Sequence, residues 1–131
     1  MNSDCVNQLR TFFKKANNIE LVILFGSMAS GKYKQSSDVD IAVQLHEPLT
    51  SSQKKSLIEQ LSLITGRPVD LIDLHKVGEP LLGQILKHGK RLQGSDAQYA
   101  ELGLKHIYAQ ADFVPYIERT LTERREKWLN S

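Results

Sequence analysis

The 131-residue sequence is 40% hydrophobic and 24% charged, an ordinary balance for one soluble globular domain with a real core. A net charge of +2 and a single cysteine, Cys5, exclude nucleic-acid binding by bulk electrostatics and an internal disulfide framework. No apolar run approaches the roughly 18 residues of a membrane span, no basic region leads into a long apolar leader, and no cysteine or histidine pairs fall at zinc-ligand spacing; a soluble, cytoplasmic protein is expected.

Val6, Leu9, Phe12 and Phe13 recur at helical spacing, with Ser3 as the expected cap and Asn17-Asn18 as the stop. Ile19 to Phe25 is almost continuously apolar and predicts a strand buried on both faces. Gly26-Ser27 ends it abruptly. Asp38 to Val43 predicts a second strand, its two aspartates alternating with apolar residues. Pro48 and the Thr50-Ser51-Ser52 cluster mark a loop and a helix cap, after which Leu57, Ile58, Leu61 and Ile64 form one face of a helix ending at Gly66.

Pro68 to Leu74 predicts a third strand, followed by a short helix around Pro80 to His88 and an extended segment near Lys90 to Leu92. Everything after Gly94 reads as helix, kinked or split at Pro115. Its apolar residues Tyr99, Leu102, Ile107, Phe113, Ile117, Leu121 and Trp128 form an irregular stripe. The first half of this tail is expected to cover the sheet. The charged second half, with Trp128, suits either a solvated helix or a partner-binding one. Strands alternating with helices predict an α/β or α+β domain: a small mixed sheet flanked by helices over residues 1–94, with a C-terminal helical extension over 95–131.

The chemistry lies in Gly26-Ser27, ten residues, then Asp38-Val39-Asp40. A buried strand running into Gly-Ser and a helix presents backbone N–H groups to phosphate, and Ser27 adds a hydroxyl donor. Residues two apart on a strand share a face, so Asp38 and Asp40 project together. Paired carboxylates repel, and a divalent cation resolves the conflict. Oxygen-only ligands opposite a triphosphate turn favour magnesium over zinc and suit two-metal phosphoryl chemistry. An Asp-x-Asp by itself is common on solvated strand edges. Paired with the Gly-Ser turn, and with a strand before each, it becomes the stronger reading. Gly26 to Lys32 also overlaps part of a Walker A loop, but Tyr33 stands where that loop needs Ser or Thr. Lys32 remains a candidate phosphate contact.

Leu-Phe-Gly-Ser, the ten-residue spacer, Asp-Val-Asp and the later Val-Asp-Leu-Ile-Asp-Leu resemble the minimal nucleotidyltransferases of the DNA polymerase β superfamily. With its small size, the Gln-Ile-Leu-Lys-His-Gly-Lys-Arg-Leu segment and the helical tail, the chain is most similar to the MntA antitoxins encoded beside HEPN-domain toxins. The resemblance implies transfer of AMP from magnesium-bound ATP onto a tyrosine of a HEPN ribonuclease toxin, silencing it. It places the triphosphate on Gly26 and Ser27 and two magnesium ions on Asp38, Asp40 and a third carboxylate. Asp70 is the first candidate for that third ligand and Asp73 the second. Where many relatives carry arginines after Gly-Ser, this chain has Met28 and Ser30. A binding antitoxin without catalysis, or transfer to a small-molecule hydroxyl, are the competing functions; neither membrane nor direct nucleic-acid contact is expected.

Overall fold

A computed structural model describes residues 2–31 and 37–109. Helix α1 (Asn2–Lys15) leads into β1 (Ile19–Phe25), the one-turn helix α2 (Ser27–Ser30) and β2 (Val39–Leu45). Helix α3 (Ser51–Thr65), β3 (Val69–Asp73), α4 (Leu81–His88) and β4 (Lys90–Gln93) follow, and a further helix, α5, runs over 96–109. The four strands form one mixed sheet in the order β3-β2-β1-β4. β1 pairs antiparallel with both β2 and β4, while β2 and β3 run parallel. The extended segment after α4 is therefore a fourth strand.

Alternation along the central strands divides the core into two layers. Val22, Leu24, Val39, Ile41, Val43 and Leu71 face α1 and α3, meeting Leu9, Phe13 and Leu61. Leu21, Ile23 and Ala42 face the other way, onto Leu82 and Ile85 of α4 and Leu102 of α5. A sheet covered on both sides explains the unbroken apolar run of β1, whose residues 21 to 24 are all fully buried.

Local chemistry sets the boundaries. Thr50 caps α3 in a reciprocal box with Gln53, satisfying two backbone donors that a bare helix start leaves orphaned. Gly66 ends α3 in the left-handed conformation at φ 67°, where a side chain would be strained. Three expectations shift. α1 already begins at Asn2, so Ser3 lies inside the helix rather than capping it. β2 begins at Val39, leaving Asp38 just outside the strand. The expected apolar stripe of the tail breaks: Leu102 is buried and Tyr99 packs beside it, but Ile107 is 56% exposed. The expectations for Pro115, for the charged stretch after it and for Trp128 fall outside the described residues.

Candidate active site

β1 delivers its chain to Gly26, which takes φ 71° and ψ −153° before α2 begins. This is backbone that residues bearing a Cβ rarely adopt. Space imposes the same choice: a Cβ on Gly26 would overlap Asp40 Oδ2 and come within 3.1 Å of Asp40 Cγ. The glycine turn and the Asp40 carboxylate are thus pressed together, because Phe25 is the register partner of Asp40. No side-chain hydrogen bond caps the start of α2.

The parallel pairing of β2 with β3 sets Asp40 against Asp70. In β2 the odd-numbered residues 39, 41 and 43 belong to the α1/α3 layer and Ala42 to the α4/α5 layer. In β3, Leu71 lies in the former and Ile72 in the latter. Asp40 and Asp70 therefore share the α4/α5 face at the end of the sheet where β1 stops. Asp73 is on the opposite face, 8% exposed. Its two oxygens accept from the Leu49 and His75 backbone N–H groups at 2.9 Å each. It ties two loops to β3, with one backbone N–H already on each carboxylate oxygen.

Electrostatics single out Asp40. Its carboxyl is pushed above the usual range, first by burial, then by the neighbouring charges of Asp70 and Asp38. Repulsion of this kind marks a site built for something positive. Asp38 and Asp70 are both exposed, and Asp40 is half-buried. Asp38 is bracketed by the α3–β3 connection: Arg67 Nη1 donates to the Ser37 carbonyl at 3.2 Å, and the Val39 N–H donates to the Pro68 carbonyl at 2.9 Å.

The three carboxylates supply hard anionic oxygen donors of the kind magnesium prefers, and a cation there would relieve the strain on Asp40. As placed, no three His, Cys, Asp or Glu side chains among the described residues converge to metal-ligand separation. Asp40 and Asp70 form the fixed pair, with Asp38 at the mouth of the strand. Ser27 opens α2 next to this pair, while Lys32 lies outside the described residues. Arg67 carries no motif; the only hint in sequence is a cation two residues before the third strand. Lys87, Lys90 and Arg91 lie close together in sequence, and Arg91 pairs with Asp96 at 2.7 Å and lies over the Tyr99 ring at 5.0 Å.

A small mixed sheet with a glycine-serine turn folded against two strand carboxylates defines a class, the nucleotidyltransferase domain. The polymerase β nucleotidyltransferase family matches residues 7–98, and the chain belongs to that family. It is 34% identical over 89 residues to the protein adenylyltransferase MntA of Shewanella oneidensis strain MR-1, an alignment spanning 68% of this chain and 64% of that protein. Among solved structures, a toxin–antitoxin complex with AMP-PNP superposes at a TM-score of 0.74 with 24% identity, covering 91% of this chain and 98% of the matched one. A tri-AMPylated Shewanella oneidensis HEPN toxin in complex with its MNT antitoxin superposes at 0.74 with 22% identity, covering 95% and 99%. The structural likenesses establish a shared fold. Among the described residues no helix is long and apolar enough to cross a membrane.

Proposed function

We propose that this chain is an antitoxin-type protein adenylyltransferase, moving AMP from magnesium-bound ATP onto a tyrosine hydroxyl of a HEPN-domain toxin and so silencing it. The observation that carries the reading is the register pair Asp40–Asp70, held on one face of the sheet against the Gly26 turn. A purely binding antitoxin gains nothing from crowding carboxylates until one of them resists ionising. The partner is supported by the relative named a protein adenylyltransferase and by the fold shared with the antitoxin bound to an AMPylated HEPN toxin.

Gly26 and Ser27 receive the triphosphate at the start of α2, with Lys32 as a further phosphate contact. Asp38, Asp40 and Asp70 would hold two magnesium ions, which would neutralise charge on the phosphates and on the departing pyrophosphate. Asp70 takes the proton of the acceptor hydroxyl. The acceptor oxygen then bonds to the α-phosphorus as the bond to pyrophosphate breaks. Little covalent chemistry falls to the protein; positioning and charge placement do the work. The reaction belongs in the cytosol, where a single unpaired cysteine is at home.

The test is intact mass spectrometry of the HEPN protein encoded beside this chain, after incubation with the chain, ATP and magnesium. Gain of one or more AMP units, absent with Asp38→Asn, is expected. A tight complex that forms without any mass gain overturns the enzymatic reading in favour of a binding antitoxin.

A further inference from the structure

Asp38 differs from the other two carboxylates in how it is held. Asp40 and Asp70 are fixed by the sheet ladder, whereas Asp38 lies one residue before β2 begins, where no strand register dictates its backbone. Its two neighbours are instead both held by the α3–β3 connection. The Val39 N–H donates to the Pro68 carbonyl at 2.9 Å, and the Ser37 carbonyl accepts from Arg67 Nη1 at 3.2 Å. Arg67 is itself fixed at its root. Its N–H donates to Thr65 Oγ1 at 3.3 Å, Thr65 Oγ1 donates to the Leu61 carbonyl at 2.9 Å, and the left-handed Gly66 turns the chain between them.

We infer that Arg67 is the positioning residue for the Asp38 metal ligand: through the Ser37 carbonyl it holds the backbone of Asp38 at the mouth of β2, beside Asp40 and Asp70. The inference rests on the metal-dependent reading of the site. Arg67, Pro68 and Asp70 lie on one stretch of chain, so the element that supplies the third carboxylate also secures the first. A guanidinium suits this task better than an ammonium, since its planar fork loses less entropy per hydrogen bond and fixes direction as well as distance. Arg67 acts on Asp38 through the backbone, by its bond to the Ser37 carbonyl. Its removal loosens Asp38 and weakens the grip on cations, leaving the triphosphate turn at Gly26 untouched.

The experiment measures manganese binding to the full chain by electron paramagnetic resonance, with a non-hydrolysable ATP analogue present, in the parent, Arg67→Met, Arg67→Lys and Asp38→Asn. Arg67→Met is expected to weaken manganese binding by on the order of tenfold, the usual effect of losing a group that orients a metal ligand. Arg67→Lys should recover part of the loss, and the affinity for the analogue without metal should not change. Circular dichroism and melting temperature establish that the variants are folded; should Arg67→Met fail to fold, Arg67→Gln is read by the same criterion. Binding within twofold of the parent in the folded variant, while Asp38→Asn loses it, overturns the positioning role alone. No Asp38-dependent binding in the parent overturns the metal reading beneath it.

Discussion

Asp40 and Asp70 stand opposite one another in the parallel ladder of β2 and β3, two carboxylates brought to one face of the sheet by strands whose connection runs through the whole of α3. Burial and the charges of Asp70 and Asp38 make Asp40 reluctant to ionise. The site is thus disfavoured electrostatically in the bare protein, and consequences follow for pH, for cations and for each residue around it.

The Asp40 carboxyl holds its proton more tightly in the folded chain than in the unfolded one. The folded state therefore binds more protons across that window, and stability falls as pH rises from the usual carboxylate range, about 4, through the raised value. Asp40→Asn removes this penalty. In metal-free buffer its melting temperature should exceed that of the parent at neutral pH, and the gap should shrink as the pH is lowered through the carboxylate range. A gap that stays constant with pH would contradict the assignment.

The same variant should lose transfer activity by on the order of a hundredfold or more, as expected when a charge-stabilising group leaves a phosphoryl-transfer site. Magnesium with ATP should raise the melting temperature of the parent by mass action and leave that of Asp40→Asn almost unmoved. Thermal scans with and without the ligands check both halves.

The proposed site assigns Asp70 and Asp73 different roles. Asp73→Ala strands the buried Leu49 N–H and the partly buried His75 N–H, at about 1–3 kcal/mol for the buried donor and less for the one that water reaches. Denaturant unfolding should show that loss, while the protein that remains folded keeps its transfer rate. Asp70→Asn should do the reverse: near-parental stability and little transfer. If Asp73→Ala abolished transfer at parental stability, the assignment of the third carboxylate would be exchanged.

Gly26→Ala combines strain with a clash. The pairing of φ 71° with ψ −153° is backbone all but reserved for glycine and costs an L-residue about 1–3 kcal/mol, and the new methyl displaces the Asp40 carboxylate. Lost activity together with a stability loss of that size is expected. A variant of parental activity would show that the contact between turn and carboxylate is dispensable.

Leu102 of α5 is 3% exposed and packs with Leu21, Ile23, Leu82 and Ile85 on the face of the sheet that carries Asp40 and Asp70. Leu102→Ala should cost about 2–5 kcal/mol. Ile107→Ala, on the exposed side of the same helix, should change the stability of the isolated chain little. Urea midpoints distinguish the two.

Much of this protein is legible in one dimension, because local patterns obey local physics. The apolar run of residues 19 to 25, the Gly-Ser break, the Asp-x-Asp alternation, the Thr50 cap and the Gly66 stop each follow from side-chain periodicity or backbone preference within a few residues. The family likeness rests on the same short-range spacing. Whatever depended on partners distant in sequence was settled by tertiary structure. Lys90–Gln93 is only an extended scrap until β1 supplies its hydrogen bonds. The β2 register sets Asp70 beside Asp40 and the Leu49 N–H binds Asp73, placements that support the proposal of Asp70 as third ligand and that no local pattern shows. Leu102 and Ile107 lie about 140° apart around a helix, and only the packed sheet decides that the Leu102 side is the one covered and the Ile107 side the one left in solvent. The Arg67 contact with the Ser37 carbonyl joins residues thirty apart, a distance over which only the closing of the fold brings a guanidinium to the backbone beside Asp38.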